Sequence, residues 1–208
     1  MKYFQAFQKM DFMSLQAAGA GGFGLNLPFM CNGANLCYKK TAFLEVEGFS
    51  GNENISSGDD VFLLQKFTAH HFPVAFLKSR EATVFTKPQP DINSLISQRI
   101  RWAAKTPAYK SFFAKTLGLV ILLMNLWILT GGIFVLFDSV DPEVLVLSFF
   151  LKFIFDLLLI FQAAKFFRRR DVLQHFLWSS ILYPFFSVYV VVLSLFKGFE
   201  WKGRRFVR

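Results

Sequence analysis

The rhythm of apolar residues changes near residue 115. Before it, apolar positions recur at short spacing among polar ones; after it, they run in long blocks. Over residues 1–18, Phe4, Phe7, Met10 and Leu15 fall at helical spacing among Gln, Lys and Ser. This predicts a partly amphipathic helix, its stripe facing a core or a membrane surface. Gly19-Ala20-Gly21-Gly22 is expected to break it. That run lacks GKS or GxGxxG and so is not read as a phosphate loop. Short strands are expected on each side of Asn32-Gly33, then a short helix over 39–43, a turn at Glu47-Gly48-Phe49 and a loop over 51–57. A helix opens at Asp59 and runs to about Phe67. Residues 72–77 and 82–85 read as strands, being rich in β-branched and aromatic residues. Pro88 and Pro90 stop the second, and Asp91 can cap a helix starting at Ile92.

Residues 116–137, 143–167 and 172–196 are each long and apolar enough to cross a bilayer core of about 30 Å. The expected division is therefore a first unit over 1–115, a membrane region over 116–196 and a basic tail over 197–208. Tyr183-Pro184 near the middle of the third segment allows a kinked full span or two half-helices that enter and return. Lys152 and Asp156, four apart on one face, are expected to form a salt bridge facing other helices.

Composition sharpens this division. The chain has 54% hydrophobic residues and 29 Phe, which is high for a soluble domain. Beside such blocks, the net charge of +9 reads as contact with anionic headgroups and not with nucleic acid. The positive-inside rule puts residues 1–115 and Arg168-Arg169-Arg170 in the cytoplasm and the acidic turn at Asp138 and Asp141 outside. Cys31 and Cys37 are too few for a disulfide scaffold and lack CxxC spacing, so both are read as reduced and packed. His70-His71 reads as surface or helix end, and residues 1–13, with no continuous apolar core, are not expected to act as a signal peptide.

Three stretches carry candidate chemistry. Asp59 and Asp60 open a helix, where carboxylates ordinarily cap free N–H groups and offset the helix dipole. An ionised carboxylate pointing into a cleft can also act as a general base. Asn32-Gly33-Ala34-Asn35 is either an ordinary turn or a place where backbone approaches a ligand, with Asn offering donor and acceptor. Gln98, Arg101 and Trp102 lie at i, i+3 and i+4 and share a helix face. Arg can grip a diphosphate, Trp can stack on a ring, and Gln can hold a hydroxyl. Alternatively this is a basic helix at the membrane surface, with Lys105, Lys110 and Lys115 following it.

The order and spacing of Asn32-Gly33-Ala34-Asn35 with Tyr38, Phe43 to Glu47-Gly48-Phe49, Ser57-Gly58-Asp59-Asp60 with Leu63, and Gln98-x-x-Arg101-Trp102 ahead of membrane helices resemble the C-terminal half of membrane-bound family 2 glycosyltransferases. Trp201-Lys202-Gly203-Arg204 is similar to the tail of bacterial members. The resemblance implies an α/β fold, the C-terminal portion of a GT-A nucleotide-diphospho-sugar transferase, followed by an α-helical membrane region of about three segments. It implies inverting hexosyl transfer from a nucleotide sugar to a lipid-linked or polysaccharide acceptor. Asp60 would be the catalytic base, with Asp59 where the family often has Glu. Gln98, Arg101 and Trp102 would hold the donor diphosphate and the acceptor end, and Asn32, Gly33 and Asn35 would line the acceptor site. A divalent metal, magnesium or manganese, is expected for the family, but its Asp-x-Asp motif does not occur in this chain, and no metal ligand is assigned. The family's nucleotide-binding first half is likewise expected in the same polypeptide or in trans. The implied setting is a multi-pass protein of the cell inner membrane with its catalytic portion cytoplasmic. The alternative is a non-catalytic membrane partner subunit or degenerate remnant; a small transporter has only the Lys152 and Asp156 pair in its favour.

Overall fold

The computed structural model describes residues 3–51, 58–201 and 204–206. The expected loop over 52–57 and the Lys202-Gly203 part of the tail motif lie outside the described residues. Among the described residues seven α-helices follow in order: α1 Tyr3–Gly24, α2 Lys40–Glu45, α3 Asp59–Ala69, α4 Ile92–Ala103, α5 Phe112–Leu136, α6 Pro142–Phe166 and α7 Phe176–Phe196. Short 3-10 turns sit at Gly33–Asn35, Thr106–Ala108 and Arg170–His175. Among the described residues the strands are β1 Phe199–Trp201 and β2 Arg204–Phe206, an antiparallel pair in the tail.

The architecture is helical, and this corrects the α/β, GT-A expectation. Residues 72–77 and 82–85 carry strand-like composition but enter no ladder among the described residues. β-propensity describes fit to a pleated surface and does not supply the neighbouring strand. Two side chains meet backbone groups in and beside these stretches. The Gln8 amide donates to the Gln89 carbonyl at 3.1 Å and accepts from the Gln89 N–H at 2.9 Å, standing in for a strand partner. Asn35 Nδ2 donates to the Ala82 carbonyl at 2.6 Å. The strands expected around Asn32-Gly33 are likewise extended backbone flanking the 3-10 turn.

The glycine run does not end α1, which continues to Gly24. A Cβ on Gly22 would stand 2.6 Å from the Phe29 ring and 2.9 Å from the Leu27 carbonyl oxygen. The glycines give the returning chain room to pack against the helix. Farther up α1, Ala6, Met10 and Met13 form one core with Ile160, Ala163 and Ala164 of α6, and with Val172 and Phe176. A second core holds Val46, Leu63 and Phe67, binding α2 to α3.

α5, α6 and the segment through α7 are each long and apolar enough to cross a membrane. α7 is continuous through the buried Pro184, so the two half-helices do not form. Lys152 pairs with Asp156 and turns its ammonium over the Tyr183 ring of α7 at 5.6 Å, facing another helix as expected. β1 packs beside α4. At the other end of α7, Tyr3 of α1 meets His175 edge-on at 5.0 Å.

Candidate active site

Asp59 and Asp60 occupy the first turn of α3, after Gly58 in a left-handed conformation at φ +100. Side chains rarely adopt that conformation, so glycine suits the entry to this helix. Capping accounts for one Asp60 oxygen: Oδ1 accepts from the Val61 N–H at 2.9 Å. The other, Oδ2, accepts from the Gly33 N–H at 2.7 Å, across 27 residues of chain. The Cys31 thiol donates to the Asp60 carbonyl at 3.1 Å. The Asn-Gly turn is therefore strapped to the start of α3, with the carboxylate at the joint. Asp59 is exposed beside it.

Gly33 is a close-approach glycine. An added Cβ would stand 3.3 Å from Asp60 Oδ2. Gly33→Ala is expected to displace the carboxylate and destabilise the fold by about 1 kcal/mol, the usual net worth of one hydrogen bond. Thermal unfolding checks this: an unchanged unfolding temperature would show that the Gly33 contact does not set the carboxylate's position.

The chain after α4 forms the second wall. Lys105 is only 6% exposed, and its Nζ lies 3.6 Å from where a Gly58 Cβ would stand. The Tyr109 ring meets Phe62 at 5.6 Å, and the Lys110 N–H donates to Gln65 Oε1 at 2.8 Å. Burial, then the charge of Asp60, pushes the Cys31 thiol up to about 12. The Tyr109 phenol also rises to about 12, through burial and then Asp60 and Cys31. Burial and the Arg101 charge bring Lys105 down to about 8, against the pull of Asp60 and Asp59. Burial also lowers Arg101.

The structure divides the other sequence-predicted residues. Arg101 lies near enough to Lys105 for its charge to act on it. Gln98 and Trp102 are organised around Arg99: Gln98 Oε1 accepts from Arg99 Nη1 at 2.6 Å, and the guanidinium lies 4.2 Å from the Trp102 ring centre. Arg99 in turn pairs with the buried Asp11 of α1. Asn32 caps its own turn, accepting from the Ala34 N–H at 3.0 Å, and Asn35 holds Ala82. Neither bond reaches Asp60. Cys31 is packed, but Cys37 is exposed, correcting the expectation that both are buried. Sequence reasoning missed Asp11 and Arg99, and it placed Lys105 at the membrane surface. Lys105 lies in the turn just after α4, outside the helix, and no local sequence signal placed it beside Gly58.

Residues 2–201 match the family described as Glycosyl transferase family group 2. The chain belongs to that family. No curated protein and no solved structure matches it. Family membership makes the protein a transferase of glycosyl groups, and its three apolar helices make it a membrane protein. Among the described residues, no group of three or more His, Cys, Asp or Glu could hold a metal ion.

Proposed function

We propose that residues 1–115 form the base-bearing part of a membrane-bound, inverting hexosyltransferase of the Gln-x-x-Arg-Trp type. The observation that carries this reading is the Asp60 carboxylate, fixed by the Gly33 N–H on one side and neighboured by Lys105 on the other. Asp60 takes the proton of an acceptor hydroxyl as its oxygen attacks the anomeric carbon. The new glycosidic C–O bond forms as the bond to the nucleotide diphosphate breaks, and the diphosphate leaves with the bonding pair. A single displacement from the opposite face inverts the anomeric centre. Arg101 meets the negative charge gathering on the leaving group. The donor is a nucleotide sugar, and the acceptor is a lipid-linked or glycan hydroxyl delivered beside α5 and α6. The nucleotide-binding portion acts with this unit in the same polypeptide or in trans.

Radiolabelled nucleotide sugars given to membranes that carry the chain, alone and fused to a family nucleotide-binding half, test the reading. Label entering lipid extract or polymer, and lost on Asp60→Asn, supports it. Transfer that survives Asp60→Asn favours a non-catalytic subunit.

In this reading the unit and the tail share the cytoplasmic face of the inner membrane, because β1 packs beside α4, and α7, which packs on α1 and α4, then lies along that face without crossing. That arrangement gathers the basic tail with the other cytoplasmic basic residues. A membrane-impermeant maleimide is expected to label the exposed native Cys37 and a Lys197→Cys variant from the same side of oriented vesicles. Labelling from opposite sides would contradict it.

A further inference from the structure

We propose that Arg80 and Asn35 are positioning residues for Asp60, tying its carboxylate to the end of membrane helix α6 through one turn, residues 79–83. This role rests on the transferase reading, in which Asp60 is the base and the acceptor arrives beside α6. The tie begins at the helix end. The last carbonyls of a helix have no partner within it. Phe166 closes α6, and its carbonyl accepts from Arg80 Nε at 3.0 Å, while the guanidinium lies 6.0 Å from the Phe166 ring centre. α6 is held in place there, because Ile160, Ala163 and Ala164 belong to the core shared with α1.

The turn that carries Arg80 is closed on itself. The Thr83 N–H donates to the Arg80 carbonyl at 3.1 Å, the Thr83 hydroxyl to the Ser79 carbonyl at 3.4 Å, and the Ser79 hydroxyl to Glu81 Oε2 at 2.5 Å. The Ala82 carbonyl, on the same turn, accepts from Asn35 Nδ2 at 2.6 Å. Asn35 ends the 3-10 turn that Gly33 begins, and the Gly33 N–H donates to Asp60 Oδ2 at 2.7 Å. Each of these bonds is modest by itself. In series they make the carboxylate's place depend on where α6 ends. A shift of that helix end, as an acceptor seats beside it, therefore reaches the base through three hydrogen bonds.

Adjacency alone does not establish coupling, so the test compares single and double variants. Cys31 is the reporter, since its partly buried thiol donates to the Asp60 carbonyl at the joint. The rate at which a maleimide labels Cys31 is measured on the full chain in detergent, in a Cys37→Ser background. Arg80→Met and Asn35→Leu are each expected to raise that rate about 5-fold, the worth of one net hydrogen bond in a local opening equilibrium. Because the links act in series, the double variant is expected to label no faster than either one. Arg80→Lys keeps a donor for the Phe166 carbonyl and is expected to restore the slow rate. A Met13→Cys reporter in the α1 core, with both native cysteines replaced by Ser, is expected to label equally with and without Arg80→Met. That equality separates a loosened joint from general unfolding. In the chain fused to a nucleotide-binding half, Arg80→Met is expected to lower kcat about 5-fold, with KM for the nucleotide sugar little changed. An unchanged Cys31 rate in Arg80→Met, effects that multiply in the double variant, faster labelling at both reporters, or an unchanged kcat overturns the proposal. The transferase reading fails separately, by transfer that survives Asp60→Asn, and the labelling needs no transfer.

Discussion

Replacing Asp11 by Ala is expected to destabilise the folded chain by about 3–5 kcal/mol, the cost of removing one partner from a buried ion pair. Asp11 and Arg99 are 6% and 8% exposed. Arg99 Nε and Nη2 both reach Asp11 Oδ2, at 2.7 and 2.5 Å. Burial raises the Asp11 pKa even against the pull of Arg99, so the environment is dry enough for an unpaired charge to be costly. Without Asp11, the guanidinium keeps only Gln98 and the Trp102 face as partners among those described above. Thermal unfolding in detergent should fall by about 10 °C, taking about 2–4 °C per kcal/mol for a chain of this size. Asp11→Leu combined with Arg99→Met should recover most of the loss, since neither charge is then stranded. Unfolding of Asp11→Ala at the natural temperature would show that the pair does not hold α1 to α4.

That pair also marks where sequence reasoning stopped. The three apolar helices were readable because a run of apolar residues about 20 long carries its own meaning. The start of α4 was readable because the cap is local: Asp91 Oδ1 accepts from the Ser94 N–H at 2.8 Å. The start of α3 at Asp59 was readable for similar reasons. The strands over 72–77 and 82–85 failed because a strand is defined by its neighbour. At Ala82 the carbonyl accepts from the Asn35 side chain instead. The glycine run misled because its purpose is tertiary, opening α1 to Phe29 and Met30. At the site, Gln98, Arg101 and Trp102 lie on one helix, as expected. What Gln98 and Trp102 face depends on Asp11, 88 residues upstream of Arg99, which pairs with Arg99 and so gathers Gln98 and Trp102 around it.

Asp60→Asn is expected to lower the rate of transfer by about 10²- to 10⁴-fold, the usual contribution of a positioned general base. Asn keeps the shape, but its one carbonyl oxygen can accept from only one of the Gly33 and Val61 N–H groups, which the two carboxylate oxygens serve separately, and it cannot take a proton. The loss should therefore appear in kcat, with KM for the nucleotide sugar changed little. Asp59→Asn, one residue away and exposed, should cost far less. Equal losses at both positions would point to the charge of the α3 terminus in general and not to one base.

The most direct measurement is the transfer of label from a radiolabelled nucleotide sugar by membranes carrying this chain joined to a family nucleotide-binding half, with and without Asp60→Asn. The expected result is transfer in the natural sequence and a drop of about 10²-fold or more in the variant, with both proteins present in equal amount. Undiminished transfer by Asp60→Asn would contradict the assignment of Asp60 as the base.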